Sequence, residues 1–302
     1  MQPLKLKIDG LTRLDVTVAL SLEISRTQAQ KAIKAGFILV DGYKRSPHFL
    51  VDGENEITYD PEAFQVKESK PLKPPVLTVL YEDADLMVID KPAGLLVHKT
   101  ATSHESTVVD GIIALHPEIE KIGEHADRPG IVHRLDKFAS GVLVVAKTQT
   151  AFDYLKQEFK SHHIKKFYTV LAKGTFSKPN DTITLAIARS KHSARMAARP
   201  IQQEGKSAIT HHTVLTQYAQ YALLDVEIET GRTHQIRAHL FAIEHPVVGD
   251  RLYAPKYQKP EMLHRLFLHA RSLELTLPNG EKKIFESPLP QELKDYLSTL
   301  AL

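Results

Sequence analysis

The sequence contains no cysteine, and this absence excludes several classes of protein. Without thiols there can be no disulfide framework, no cysteine nucleophile, no iron–sulfur cluster and no zinc site built from Cys. A chain of 302 residues does not need such cross-links, because it can bury a large apolar core. The absence of Cys also gives no indication of an oxidising compartment.

Long apolar runs are also missing. No stretch approaches the roughly 18 apolar residues that a membrane-spanning helix needs, and the most apolar short run, residues 142–146, fits a buried strand. Residues 1–8 alternate apolar and basic side chains, which is typical of an edge strand and not of a signal peptide. We therefore expect a cytoplasmic protein. Because the net charge is only +3, any surface for nucleic acid must be a local patch.

Cofactor and metal motifs do not occur in this sequence. It has neither G-x-x-x-x-G-K-[ST] nor G-x-G-x-x-G, which disfavours phosphate-loop and dinucleotide chemistry. The 16 histidines include no H-E-x-x-H, and the pairs 162–163 and 211–212 are adjacent residues that face different ways. His234 and His239 are five residues apart, so they do not align on one helix face. We expect no metal and no cofactor.

Residues 1–60 are predicted to form a small domain that begins with helices. Arg13–Leu22 has a pattern that fits a helix or a strand. The next segment is clearer, because Ser25 and Gln28 form a capping box and Gly36 is suited to end a helix. We therefore predict a helix over Arg26–Ala35. Its polar face carries Arg26, Gln30, Lys31 and Lys34.

Short strands are predicted to follow these helices. Residues 37–40 fit a strand, and Asp41–Gly42 is a two-residue hairpin signal, because both central positions of a type I′ turn need positive φ. Tyr43–Arg45 is predicted to start the return strand, and Arg45 adds a basic side chain to the hairpin. Residues 61–75 are rich in proline and charge, which indicates a linker.

Residues 76–302 are predicted to form a second domain of the α+β class. Its strand-like runs are separated by irregular stretches and by helices near 149–160 and 233–243. Because strands and helices do not alternate strictly, we expect a mainly antiparallel or mixed sheet and not a doubly wound fold or a barrel. The predicted strands cover residues 76–81, 86–90, 141–146, 166–171 and 223–229.

One segment of this domain places a carboxylate among basic residues. Asp136 follows His133 and Arg134, and a Ser140–Gly141 turn is predicted after it. Burial pushes a carboxylate towards its neutral form, whereas a nearby cation such as Arg holds it ionised. An ionised Asp136 could be a nucleophile, a general base or a metal ligand. A structural ion pair at a turn would give the same pattern.

A second segment, residues 230–240, is predicted to contain a helix capped by Thr233. Arg237 lies beside the apolar stripe of this helix. Because an Arg cannot lose its charge, one at the edge of a buried stripe needs an anionic partner, and Asp136 is one candidate. The alternative is a solvated basic helix start. The apolar stripe consists of Ile236, Leu240 and Ile243.

Two further segments carry aromatic or basic side chains. Strand alternation puts Tyr168 on the same face as Lys166 and Val170, where it could stack on a base or belong to the core. Residues 189–206 form a basic, poorly periodic loop that suits phosphate contacts, or else a solvated hairpin connection. The basic side chains of this loop are Arg189, Lys191, Arg195, Arg199 and Lys206.

Together these motifs resemble those of the RluA-type pseudouridine synthases. The run His133-Arg134-Leu135-Asp136 with Ser140–Gly141 is similar to the family's signature. The match covers about residues 76–302, and residues 1–60 resemble the RNA-binding domain named after ribosomal protein S4. The segments that carry the resemblance, in the family's order, are residues 90–98, 133–141, 166–168, 231–240 and 249–253.

The resemblance implies that uridine in RNA is isomerised without a cofactor or metal: the N-glycosidic bond is cleaved, the uracil turns, and it is rejoined through C5. Asp136 would be the nucleophile, and Arg237 would pair with it. Tyr168 would stack on the target base and could help to move the C5 proton. Ile236 would line the uracil pocket, and Arg134 would fill the space of the flipped base. Further RNA contacts would come from His133, Arg189, Lys191, Arg195, Arg26, Lys31, Lys34 and Arg45.

The resemblance also ranks the possible functions. Similarity to the RluC and RluD branches favours large-subunit (23S) ribosomal RNA as substrate, with transfer RNA as the alternative, and we expect a monomer. A catalytically silent RNA-binding protein is disfavoured because Asp136, Tyr168 and Arg237 are all kept. A hydrolase is disfavoured because Asp136 has no second paired carboxylate or metal cluster. Phe138 and Ala139 replace the family's usual acid and Thr, which leaves Asp136 intact.

Overall fold

The structure, a computed structural model, describes residues 1–5, 10–64, 73–100, 103, 105–190, 195–254 and 263–301. The chain divides into two compact units, Met1–Pro71 and Leu72–Leu302. In the described residues no helix is long and apolar enough to cross a membrane. The α-helices are α1 (Leu14–Ser21), α2 (Arg26–Ala35), α3 (Val108–Leu115), α4 (Gln149–Lys160), α5 (Gln235–Ala242) and α6 (Gln291–Ser298), and 3₁₀ turns cover Pro61–Phe64 and Pro117–Lys121.

The strands form three sheets. A three-stranded sheet has the order β1–β5–β3, a two-stranded sheet pairs β2 with β4, and the remaining strands form one large sheet. The strands are β1 (Gln2–Pro3), β2 (Thr12–Arg13), β3 (Ile38–Val40), β4 (Leu50–Val51), β5 (Ile57–Tyr59), β6 (Thr78–Glu82), β7 (Leu86–Lys91), β8 (Ser140–Ala146), β9 (Lys165–Lys173), β10 (Asn180–Arg189), β11 (Met196–Arg199), β12 (Lys206–Gln217), β13 (Tyr221–Ile228), β14 (Leu268–Thr276) and β15 (Lys282–Glu286).

The helices of the first unit follow from local sequence. The capping box is present, because the Ser25 hydroxyl accepts from the Gln28 amide N–H and the Gln28 side chain accepts from the Ser25 amide N–H. Gly36 ends α2 in the left-handed conformation, with φ of 85°. The helix prediction for residues 26–35 is therefore confirmed. The ambiguous segment before it is a helix, α1, which buries Leu14 and Val18 one turn apart.

The hairpin after α2 is only partly as predicted. Asp41 and Gly42 have φ of 53° and 80°, and the Tyr43 amide donates to the Val40 carbonyl, which confirms the two-residue turn. The predicted return strand is wrong: β3 pairs with β5 instead. Asp41 explains this, since its carboxylate accepts from the Glu56 amide and so ties the turn to the start of β5.

Two further predictions concern segments that the structure describes only in part. The edge strand expected over residues 1–8 is present as β1, at the edge of its sheet, and residues 6–9 lie outside the described residues. Within the linker predicted over residues 61–75, residues 65–72 also lie outside them. The domain boundaries themselves stay predictions.

A buried carboxylate joins the two helices of the first unit. Asp15, at the start of α1, is fully buried and accepts hydrogen bonds from Arg13, Arg26 and Gln30. Burial by itself would raise the pKa of Asp15, but these hydrogen bonds lower it well below its usual range. Arg26 was predicted as an RNA contact on the polar face of α2. Its Nε lies 3.0 Å from Asp15 Oδ2, so half of its side chain is withdrawn into an internal ion pair.

We expect Asp15→Ala to destabilise the first unit by about 2 kcal/mol, because the hydrogen bonds to a charged group are lost. At neutral pH the exchange of α1 and α2 amides with deuterium in the full chain should accelerate by about 30-fold. Since folding lowers the pKa of Asp15, its contribution is complete above the unfolded value of ~3.9 and is lost as the pH falls below it. Glu54→Ala, at an exposed carboxylate of the same unit, is the control. Equal exchange in both variants would contradict the prediction.

The large sheet of the second unit has the order β11–β10–β12–β13–β9–β14–β8–β7–β6, with β15 paired to β14. All neighbours are antiparallel except β8 and β14, which are parallel. The α+β class with a mixed, mainly antiparallel sheet is therefore confirmed. Every residue of β8 is buried, because both faces of the sheet are covered there. Leu143 and Val145 belong to the core on one face, and Val142 and Val144 to the core on the other, beneath α4.

Two local predictions in this unit are wrong. Ser140–Gly141 is not a turn but the start of β8, because Ser140 Oγ is bound by Arg265 and by His269 of β14. Residues 189–206 are not one loop, since β11 within them pairs with β10 as an edge strand. Neither partner strand can be recognised from local sequence. Residues 191–194, including Lys191, lie outside the described residues.

Candidate active site

A cleft of about 510 Å³ lies where several separate parts of the chain meet. The segment before β8 contributes Asp136, β9 contributes Tyr168, and the segment leading into α5 contributes residues 231–237. His98, on the loop after β7, also lines the cavity, as do residues at the end of α4 and Leu268 of β14. The motifs that are scattered along the sequence are therefore brought together around one cavity.

The central contact of the cleft joins Asp136 and Arg237. Arg237 Nη1 lies 2.9 Å from Asp136 Oδ2, and the Asp136 side chain is only 15% exposed. The turn that presents Asp136 is closed by the Ala139 amide, which donates to the Asp136 carbonyl oxygen. Phe138, where the sequence departs from the family pattern, is exposed. The unusual pair 138–139 therefore leaves the turn intact.

A buried lysine supports this turn from below. Lys91, at the end of β7, is fully buried, and its Nζ donates to the carbonyl oxygens of Pro92, Leu95 and Lys137. Burial and the nearby Arg265 lower the pKa of Lys91 to about 7. Because Lys137 follows Asp136 directly, Lys91 ties the loop after β7 to the turn that carries the carboxylate. Lys91 is part of the early motif, but local sequence gave no sign of this role.

A second carboxylate, which sequence reasoning missed, holds Arg237 from the other side. Asp250 is completely buried and binds Arg237 through two hydrogen bonds, Nε to Oδ2 at 2.6 Å and Nη2 to Oδ1 at 2.9 Å. Burial by itself would lower the pKa of Arg237. The contacts with Asp250 and, to a smaller extent, with Asp136 raise this pKa above its usual range. Two edges of the guanidinium are thus occupied, and Nη1 is directed at Asp136.

The turn around Asp250 depends on a glycine. Gly249 has φ of 77°, and a Cβ atom there would lie 1.9 Å from the Arg265 carbonyl oxygen. Asp250 Oδ1 also accepts from the amides of Leu252 and Tyr253, which fixes the carboxylate in place. The late motif over residues 249–253 was the only sequence signal for Asp250. It contributed to the family resemblance but gave no role for this residue.

Helix α5 begins differently from the prediction. The capping residue is His234, with φ of 56° and no side-chain cap, so the prediction that Thr233 caps the helix is wrong. The chain is held here by the buried amide of Gln235, which accepts from the Thr230 hydroxyl and the Arg232 amide and donates to Thr210. This long-range network turns the backbone one residue later than a local cap would.

The floor and walls of the cleft are aromatic and apolar. Tyr168 is 8% exposed and Ile236 is 4% exposed, and both line the cavity. Burial, together with the charge of Asp136, raises the pKa of Tyr168 above its usual range. Beside it Lys166 donates to the Glu229 carbonyl oxygen, and burial lowers the pKa of Lys166 to about 8. At neutral pH Tyr168 is therefore a phenol and Lys166 is mainly a cation.

His133 and Arg134 have different surroundings. His133 Nε2 accepts from the Val144 amide, its ring stacks on Phe159, and burial lowers its pKa to about 3. It is therefore a neutral wall of the cleft. Arg134 is exposed, lines the cleft, and has no hydrogen bond or ion pair with a described residue.

Arg189 and Arg195 are not among the described residues that line this cleft. Arg189 is exposed at the end of β10, and Arg195 packs its guanidinium over the ring of Phe241 at 4.6 Å. Three of the RNA contacts predicted in the first unit, Lys31, Lys34 and Arg45, are exposed. Besides Arg134 and Arg237, four basic residues that were not predicted as site residues line the cleft, namely Arg128, Lys160, Lys166 and Arg232.

Comparison with known proteins identifies the class. Residues 85–242 match the family model described as RNA pseudouridylate synthase, and residues 12–57 match that of the S4 domain. The chain belongs to the RNA pseudouridine synthase family, and the resemblance read from the sequence motifs is confirmed. A cleft with a carboxylate bound to an arginine, beside a tyrosine, is thus the candidate active site of an isomerase that acts on RNA.

Individual relatives extend over nearly the whole chain. An uncharacterized RNA pseudouridine synthase of Aquifex aeolicus is 37% identical over 98% of this chain and 96% of its own length. Ribosomal large subunit pseudouridine synthase D of Pseudomonas aeruginosa is 34% identical over 96% of this chain and 92% of its own length. Among solved structures, Human RNA Pseudouridylate Synthase Domain Containing 1 is 26% identical, with a TM-score of 0.60 over 74% of this chain and 87% of that chain.

The contacts of Asp250 lead to a specific prediction. Asp250→Asn keeps an oxygen for the backbone amides but removes the charge that orients Arg237. We expect the single-turnover rate of pseudouridine formation to fall about 10²-fold, because small displacements of reacting groups are this costly. RNA affinity, measured by filter binding, should not change.

A matched control is available for this variant. Asp225 also forms a two-point ion pair, with Arg271 at 3.0 and 3.2 Å, but both side chains are partly exposed and outside the cleft. Asp225→Asn should leave the rate unchanged. Equal rates for the two variants would show that Asp250 does not position Arg237.

Proposed function

We propose that this protein isomerises specific uridines of large-subunit ribosomal RNA to pseudouridine, with Asp136 as the nucleophile. The observation that carries the proposal is the pair of Asp136 and Arg237 in the cleft, with Arg237 held from behind by the buried Asp250. The choice of RNA is supported by relatives named ribosomal large subunit pseudouridine synthase D, which match nearly the whole chain. A monomeric state and a cytoplasmic location stay predictions.

The geometry of Asp136 suits a nucleophile. Arg237 Nη1 donates a hydrogen bond to Oδ2 at 2.9 Å, which fixes the position of that oxygen. Among the described residues, Oδ1 has no hydrogen-bond partner, and the ion-pairing group nearest to it is His234 Nε2 at 3.9 Å. One oxygen is therefore anchored and the other is available for attack.

The walls of the cleft suit a flat, uncharged base. Tyr168 and Ile236 offer an aromatic and an apolar surface near Asp136. Flipping a uridine out of a stem costs a few kcal/mol. Arg134, exposed beside the cleft, could occupy the vacated place in the stem and stack with its planar guanidinium.

The first unit is proposed to add phosphate contacts. It matches the S4 domain, and Lys31, Lys34 and Arg45 are exposed on it. Contacts between such cations and phosphates release counterions, so they strengthen binding without recognising a base.

The central test is pseudouridine mapping. Unmodified transcripts of large-subunit ribosomal RNA and transfer RNA are incubated with the protein or with Asp136→Asn, which is nearly isosteric but a poor nucleophile. We expect new pseudouridine in ribosomal RNA with the unsubstituted protein only, and unchanged RNA binding by the variant. Turnover by Asp136→Asn would rule out the nucleophile role, and modification of transfer RNA alone would rule out the proposed substrate.

A second test concerns the first unit. Replacing Lys31, Lys34 and Arg45 together by Gln should weaken RNA binding and lower the slope of log affinity against log salt by about 0.9 per lost phosphate contact. The single-turnover rate at saturating enzyme should be kept, because the cleft is untouched. Replacing three exposed lysines of the second unit, Lys121, Lys282 and Lys294, is the control for net charge. Equal salt slopes for the two triple variants would contradict an RNA-binding role of the first unit.

A further inference from the structure

The isomerisation needs a base for one particular proton. Once the uracil is rejoined through C5 and Asp136 is released as a free carboxylate, C5 carries both its hydrogen and the ribose C1′, and the ring has an N1=C6 double bond. To give pseudouridine the C5–H bond breaks and its electron pair forms C5=C6. The N1=C6 pair moves onto N1, which takes a proton from water. Some group in the cleft must accept the C5 proton, whichever way Asp136 acts.

Most groups of the cleft are unsuited to accept it. The lone pair of His133 Nε2 is used by the Val144 amide, and Lys166 is a donor to the Glu229 carbonyl oxygen. Tyr168, which the family resemblance suggested for this proton, is a phenol whose pKa is raised by burial and by Asp136. A phenol must first lose its own proton before it can act as a base.

His234 differs from the other histidines of the cleft by its position. Its Nε2 lies 3.9 Å from Asp136 Oδ1, and among the described residues no other imidazole comes within 4 Å of that carboxylate. The side chain is 23% exposed and lines the cavity. Its φ of 56° is a left-handed conformation that is uncommon for a residue with a side chain, and such conformations cluster at functional sites.

The hydrogen bonds of Tyr253 determine which nitrogen of His234 carries the lone pair. The Tyr253 hydroxyl donates its only hydrogen to the Met196 carbonyl oxygen, 3.1 Å away, and accepts from the Met196 amide. Towards His234 Nδ1, at 3.2 Å, it can therefore only accept. The hydrogen of the neutral ring is then on Nδ1, and Nε2 presents its lone pair to the cleft and to Asp136.

We propose that His234 is a catalytic residue whose Nε2 accepts the C5 proton of the rejoined uracil. This inference rests on the proposed function, because it assigns one step of that reaction. The imidazolium that forms is stabilised by the adjacent Asp136 carboxylate and returns to the neutral form by losing its proton to water at the open side of the cleft.

The test compares three substrates in single-turnover reactions. A fragment of large-subunit ribosomal RNA, in which the unsubstituted enzyme forms pseudouridine, is transcribed with UTP, with UTP deuterated at C5, or with 5-fluoro-UTP. The variant is His234→Asn, because Asn tolerates a left-handed backbone and has no basic nitrogen. His211→Asn, at a partly exposed histidine of β12 that does not line the cleft, is the matched control.

We expect His234→Asn to slow pseudouridine formation on the UTP transcript by about 10² to 10⁴-fold, the usual contribution of a general base. A primary deuterium isotope effect should appear, because removal of the C5 proton becomes rate-limiting. The 5-fluorouridine transcript has no C5 proton, so its consumption should stay at the unsubstituted rate. The His211 variant should behave as the unsubstituted enzyme on all three.

Other outcomes would overturn the proposal. An equal loss on uridine and 5-fluorouridine without an isotope effect would mean a merely structural role, and no loss on uridine would exclude any role in this step. His234→Gly, which also fits the left-handed backbone, provides a second test. Added imidazole should restore uridine turnover in this variant. A folded variant that imidazole does not rescue would contradict the role of His234 as the base. If the unsubstituted enzyme formed no pseudouridine in either RNA, the proposed function itself would fall.

Discussion

The arrangement of the cleft depends on one guanidinium that is shared by two carboxylates. Arg237 carries a single positive charge, and Asp136 and the fully buried Asp250 both bind it. Removing charges from water is costly, and the cost is offset only when the geometry leaves few donors and acceptors unpaired. Asp250 meets this condition with its two bonds to Arg237 and two from backbone amides. The partly open Asp136 is thus oriented by a guanidinium that is itself held by two hydrogen bonds to Asp250.

Hydrogen bonds also hold the buried polar residues around this pair. Lys91, Gln235 and Tyr253 are buried polar side chains, and each donates a hydrogen bond to a backbone carbonyl oxygen of a segment distant in sequence. Such contacts fix loops that have no regular secondary structure of their own. A preorganised site of this kind needs little rearrangement when charge develops during the reaction. Hydrogen bonds that connect the loops to one another and to β11 and β12 therefore hold the walls of the cleft in place.

How far local sequence predicts this structure depends on the range of the forces involved. Helix α2 was predicted to the residue, because the capping box and Gly36 act within one turn. The Asp41–Gly42 turn was predicted for the same reason, whereas its return strand was not, since Asp41 binds the distant Glu56. Thr233 was wrongly placed as a cap because the buried Gln235 network sets the start of α5. In the two wrong predictions, the return strand and the Thr233 cap, a contact distant in sequence overrode the local preference.

The sequence by itself determined the class of protein, through motifs that occur in one order, and it pointed to Asp136, Tyr168 and Arg237 as the central residues. Only the tertiary structure decided how these side chains are held. Asp250 is 13 residues from Arg237, and Tyr253 is 19 residues from His234. No periodicity links such positions, because their contacts arise when loops from different strands meet over the sheet. The partner of a buried charge and the tautomer of a histidine therefore depend on tertiary contacts.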